Sequence, residues 1–244
     1  MSAAGGDNEG ARVSAWLALF AVAYAIMDIL PSFLTQDIRH KLTTGDVFNF
    51  FTPFGLLPLV WRLYHLLRDR AATVGLRRLA AWIFFISAIL FVDGHGMNLS
   101  ANAVARHLVN QKGQGVYLLD YFFDETMGHI FAHTASLGMA AALLVLVRGT
   151  ASVRPTWLAW AAAPLFGFAY FADGVEGQTV PILLPGAIAV VLVAAVMVRN
   201  EARVSGRHPV VAFLLAAYVV ALILFGIWYV WQGGFPQFSE LGWV

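Results

Sequence analysis

Runs of about 20 apolar residues recur along this chain, and nothing else in it constrains the fold so tightly. A bilayer core of about 30 Å takes roughly 20 residues of helix, because backbone polar groups in lipid must be paired within their own segment. About seven such runs are visible: Val13 to Leu34, Val47 to Leu67, Leu79 to Leu99, His129 to Val147, Pro155 to Asp173, Val180 to Val198 and Val210 to Val230. The third and fourth are expected to run on as helix beyond the bilayer, over Ala101 to Asn110 and Val116 to Asp124. A glycine-containing turn, Gln111 to Gly115, separates them. Short alternating segments, the mark of a membrane barrel, are missing. Only 12% of residues are charged, against about a quarter in soluble domains. The expected fold is therefore all-α, a polytopic seven-transmembrane helix bundle. Residues 1–12 read as a polar, disordered N-terminal tail, residues 13–232 as the membrane domain, and residues 233–244 as a short C-terminal tail.

Basic residues orient the bundle. Arg62, Arg68, Arg70, Arg77 and Arg78 follow the second run, Arg148 and Arg154 the fourth, and Arg199, Arg203 and Arg207 the sixth. The other side carries Arg39, Lys41, Arg106 and Lys112. This asymmetry predicts a cytoplasmic N-terminus and an outer C-terminus. The expected setting is a bacterial inner (plasma) membrane, with the bilayer and an amphipathic small molecule as partners and no nucleic acid. The chain has no cysteine, which excludes disulfides, thiolate metal sites and cysteine nucleophiles.

Ionisable groups inside a span are costly and mark function. Counted from the inner end of each helix at 1.5 Å per residue, Asp28 lies about 22 Å along, Asp93 and His133 about 21 Å, and Asp173 about 27 Å. His95 and His129 fall slightly further out. Several helices thus bring polar groups to one depth, toward the extracytoplasmic side. In the segment from Asp124 to His133, Glu125, His129 and His133 recur every fourth residue and share one helical face. Two imidazoles so spaced can ligate one ion, and carboxylates with histidines on bundle helices also build di-iron sites. Around Asp93 and His95, flanking glycines open space, and His95, Asn98 and Asn102 form a polar stripe. Asp173 and Glu176 close the fifth run.

The resulting expectation is a metal centre with His95, His129, His133, Asp124 and Glu176 as ligands. Asp93, Glu125 and Asp173 take catalytic roles, and Asp28, Asn98 and Asn102 line the site. Zinc is favoured over iron, because zinc lowers the pKa of a water and polarises a carbonyl or phosphoryl group while a carboxylate moves the proton. At this depth the natural substrate of such a hydrolase is a lipid or another amphipathic molecule. The alternatives are a non-haem iron oxygenase or desaturase, a proton-coupled transporter, and a b-type haem protein using the same histidines. Seven spans with three histidines and an Asp are similar in kind to the alkaline ceramidase and progestin/adiponectin-receptor superfamily. That family would place an HxxxH in the final span, which has no histidine here, so no membership is assigned. Both lysines, Lys41 and Lys112, lie outside the spans, which excludes a retinal Schiff base within the bundle.

Overall fold

The computed structural model describes residues 3–71, 73–148, 150, 153–200 and 208–243. It is all-helical apart from one small hairpin. The helices are α1 (Ala3–Ile29), α2 (Thr44–Phe50), α3 (Thr52–Arg68), α4 (Val74–Ala105), α5 (Gly115–Tyr121), α6 (His129–Val147), α7 (Trp157–Glu176), α8 (Val180–Asn200) and α9 (Pro209–Gln232). Two short strands, β1 (Asp37–Arg39) and β2 (Leu42–Thr43), pair antiparallel between α1 and α2. Their turn places His40 and Lys41 at positive φ (52° and 61°), as a tight hairpin requires of its central pair.

Among the described residues, six helices are long and apolar enough to cross a membrane: Asn8–Phe33, Val74–Ala105, Gly115–Val147, Trp157–Glu176, Val180–Arg199 and Pro209–Gln232. The run from Val47 to Leu67 is the one missing from that set. It is divided, with α2 ending at Phe50 and α3 restarting at Thr52 ahead of Pro53, which leaves α3 with 17 residues. At the start of the chain, α1 begins at Ala3. Glu9 pairs with Arg70 at the end of α3, and Gly10 lies against the Arg154 carbonyl. The Ser14 hydroxyl accepts the Thr156 N–H (3.1 Å), tying α1 to the start of α7. His208 stands immediately before α9. It is 2% exposed and caps α9 by accepting the Val210 N–H at Nδ1 (3.2 Å).

The helices pair as α1 on α7 and α7 on α9, and as α4 on α6. The backbones of α4 and α6 pass close to one another beside the polar groups. A Cβ built on Gly94 would stand 2.6 Å from the Ala132 nitrogen and 2.7 Å from the Gly128 carbonyl oxygen. Small residues at a membrane helix crossing permit such proximity, where dispersion replaces the hydrophobic effect as the driving force. The core then fills with side chains between the pairs: Tyr170, Tyr218, Phe213 and Phe225 are fully buried.

Beyond α4, the hairpin docks on the helix end through reciprocal bonds. Lys41 Nζ donates to the Arg106 carbonyl (2.7 Å) and Arg106 Nη1 to the Lys41 carbonyl (3.0 Å). Arg106 also grips Asp46 with both terminal nitrogens, Nη2 to Oδ1 at 2.8 Å. Burial alone would raise the Asp46 carboxyl. The bonds from Arg106 and from the Thr43 backbone and hydroxyl outweigh it and hold the carboxyl below its ordinary value.

Replacing Gly94 by Leu should drive α4 from α6, lowering stability by about 1–3 kcal/mol or more; thermal unfolding in detergent measures it. A second expectation concerns acid. Burial, reinforced by Arg70, lowers the His208 pKa from 6.5 to about 4. The unfolded chain therefore takes up the proton first, and stability present above pH 6.5 falls as pH drops toward 4, by at most about 3 kcal/mol. In His208→Asn this part of the pH dependence should vanish, as urea unfolding at pH 7, 5.5 and 4.5 would report.

Candidate functional site

Where α1, α4, α7 and α9 finish, the α1–α7 and α4–α6 pairs enclose a cavity of about 950 Å³. Its wall contains Asp28 from α1, His95, Asn98 and Asn102 from α4, Glu125 from the turn before α6, His129 and His133 from α6, and Asp173 and Glu176 from α7. Asp46 and Arg106 stand at the wall as well. Asp93 does not join them. It is exposed on α4 and outside the cavity lining, whereas Gly94 is buried and His95 turns inward.

Two hydrogen-bonded groups divide the polar wall. In the first, His133 is 4% exposed and its Nε2 lies 2.8 Å from Asp173 Oδ1. The other Asp173 oxygen accepts the Tyr24 hydroxyl (2.8 Å). His133 Nδ1 meets the buried Thr179 hydroxyl, from the link between α7 and α8. Asp28 contacts the Asp173 carboxyl across the α1–α7 seam. In the second group, Asn98 Nδ2 reaches both Asp124 Oδ1 (2.8 Å) and His129 Nε2 (2.7 Å). Asn102 adds a bond to the same Asp124 oxygen (3.1 Å). An amide nitrogen with two hydrogens donates one to each partner, so His129 Nε2 is an acceptor. Its Nδ1 packs against Gly177, whose own N–H is taken by the Asp173 carbonyl (2.8 Å). A side chain at position 177 would strike His129.

The backbone between α5 and α6 explains how one amide serves both partners. Phe122–Gly128 is a π-helical turn. In a π-helix, residues five apart align, and Asp124 and His129 are five apart. Asp124 is thereby turned to α4, 4% exposed, instead of to the cavity. Gly128 is needed in that turn, because a Cβ there would press on the Asn98 backbone nitrogen (3.1 Å) and the Phe123 carbonyl (3.0 Å).

Glu176 serves the chain's end. One carboxylate oxygen accepts the N–H groups of Phe238 (2.8 Å) and Ser239 (3.2 Å). Gln178 donates to Gln237 (2.7 Å), and the Trp228 indole N–H to the Pro236 carbonyl (3.2 Å). The segment after Gly233, which ends α9 in the left-handed conformation (φ 69°), thus folds over the cavity. Phe238 and Trp243 join Trp228 in an aromatic rim, with Phe238 4.8 Å from Trp228 between ring centroids.

The structure brings His95, His129, His133, Glu125, Asp173, Glu176, Asp28, Asn98 and Asn102 to one cavity, with Asp124 directly behind it. His95 stacks edge-on against Phe91 (4.5 Å) and shares the cavity wall with Asp173, His129 and His133. Among the described residues, no three His, Asp or Glu side chains are already gathered at metal-ligand spacing. Sequence reasoning passed over Thr179, Tyr24, Gly177 and the Asp46–Arg106 pair. The polar run from Gly177 to Thr179, set between two apolar helices, was the available signal for two of them. No protein family, curated protein or solved structure matches the chain.

Removing the Asn98 amide leaves His129 Nε2 without its donor and Asp124 with the longer Asn102 bond alone. Removing Asn102 leaves neither partner bare, because Asn98 still serves Asp124. Asn98→Ala is therefore expected to cost about 1–3 kcal/mol and Asn102→Ala distinctly less, a difference read by paired thermal melts.

Proposed function

We propose that this chain is an integral membrane metalloenzyme that binds a transition metal, zinc before iron, and hydrolyses a lipid or other amphipathic substrate. One observation carries the reading: three histidines on α4 and α6 face the touching carboxyls of Asp28 and Asp173 across a single cavity. Two carboxyls this close in a medium that screens poorly either share a proton or take up a positive charge, and a bound cation would supply that charge. Imidazoles beside them favour a transition metal over a hard cation such as calcium or magnesium.

His95, His129, His133 and Asp173 would hold the ion, with Asp28 alongside. A bound zinc ion would supply the Lewis acidity that polarises a carbonyl or phosphoryl group. Ligation requires the His133–Asp173 bond to open and the other two imidazoles to turn toward it. Glu125, on the same wall, is placed to accept and return a proton. Phe33, Phe168, Phe171 and Trp228 offer apolar surface to an acyl chain. Asn98 would hold His129 at the wall until the ion binds, and Tyr24 holds Asp173.

The placement in the membrane belongs to the same proposal. Successive helices alternate direction, and α3 returns between α1 and α4, which supports seven passes although α3 is short. The arginines at Arg62, Arg77, Arg78 and Arg148 lie at the end of the bundle away from the cavity. That supports a cytoplasmic N-terminus and a site toward the outer leaflet.

A second reading is favoured by one specific contact. Both ring nitrogens of His133 are engaged, by Asp173 and by Thr179. Asp173 orients the ring as the carboxylate of an acid–base dyad does, and such a dyad would work without metal once Thr179 releases Nδ1 to take the proton. Elemental analysis separates the two. Purified protein should carry about one or two transition-metal ions per chain, with content falling in His129→Ala and His133→Ala. Metal-free protein whose content is unchanged by either substitution would leave the dyad reading in its place.

A further inference from the structure

The cavity wall has a front and a back. His133 and Asp173 line the cavity, whereas Thr179 and Tyr24 do not; each stands behind one of them. We infer that Thr179 is a positioning residue that fixes the ring orientation and tautomer of His133, so that Nε2 is the nitrogen presented to Asp173 and the cavity. This inference deepens the proposed function but concerns a contact that exists in either reading of the site.

The donor count leads to it. A carboxylate has only acceptors, so the 2.8 Å contact of His133 Nε2 with Asp173 places a proton on Nε2. A neutral ring then has a bare lone pair at Nδ1. Thr179 is 4% exposed, and its hydroxyl reaches that lone pair and donates to it. The opposite tautomer fails twice over. It sets a bare Nε2 against carboxylate lone pairs, and it leaves the threonine proton without this acceptor. Histidines that ligate or catalyse with one nitrogen are commonly oriented by a bond at the other. Here the direction is reversed: a hydroxyl donates to the ring where the usual carbonyl or carboxylate accepts from it.

The local fold holds Thr179 to this task. After α7, Gln178 adopts a positive φ (51°), and the Thr179 N–H closes back on the Gly174 carbonyl (3.0 Å). The Ile182 and Leu183 N–H groups bond the Thr179 carbonyl (2.8 and 2.9 Å), so the residue is held from both sides of its peptide. The same link sets Gly177 so close to both histidines that a Cβ there would strike His129 and stand 2.9 Å from His133 Cε1. One short segment therefore braces both α6 histidines.

The experiment uses the full chain in lipid with ¹⁵N-histidine, assigning His133 by its absence in His133→Gln. Wild type should show a single His133 species protonated at Nε2. Thr179→Val, similar in shape but without the hydroxyl, should populate the Nδ1-protonated form to roughly a third or more, while Thr179→Ser restores the wild-type population to within about twofold. An unchanged His133 spectrum in folded Thr179→Val would overturn the inference. So would a Thr179→Ser protein as perturbed as the valine variant, since that outcome assigns the residue to packing. If the tautomer responds as stated but wild type takes up no zinc, the positioning role stands and the metal reading fails.

Discussion

Everything at the polar end of this bundle depends on the close passage of α4 over the start of α6. Gly94 admits the Ala132 nitrogen and the Gly128 carbonyl to distances that any side chain would forbid. That proximity lets Asn98 reach Asp124 and His129, so that the buried Asp124 carboxyl is met by donors within the protein. A polar group placed in lipid without such a partner is a standing penalty of several kcal/mol. Packing of small residues and satisfaction of polar ones are thus a single requirement here, each failing without the other.

The two hydrogen-bonded groups divide the labour. Asp173, His133, Tyr24 and Thr179 draw on α7, α6, α1 and the link to α8, so they register the α1–α7 pair against α6. Asn98, Asn102, Asp124 and His129 register α4 against α6. The histidines of α6 belong one to each group, and the helix acts as the common spine. A change that shifts α6 would be felt in both, whereas a change in α1 reaches His129 only through the cavity.

The helical class and most of the lining were legible in the sequence, because apolar runs and isolated polar residues obey strong rules in lipid. The polar positions of α4, α6 and α7 were recognisable as a group from depth alone. What could not be read was rotation about the helix axis. Asp93 and His95 are two residues apart, so on a helix they point to different sides, and depth cannot say which side is inward. The π-helical turn escaped for a related reason. No residue in Phe122 to Gly128 forbids an α-helix, and the extra residue is held by tertiary contacts at Asn98. The division of the second run followed from Pro53 and a local break at Phe51, a cue weaker than the hydrophobic signal around it.

That π-helical turn also bears on how such a chain could change over time. A π turn is an α-helix with one residue more than it needs. Deleting a single residue between Phe122 and Gly128 would restore ordinary winding and rotate everything ahead of it by about 100°. Asp124 would swing away from Asn98, while His129 and His133 kept their places on α6. One half of the polar wall could therefore be rewritten by a one-codon deletion and the other half left alone. Length, as much as residue identity, is a variable on which selection could act at this site.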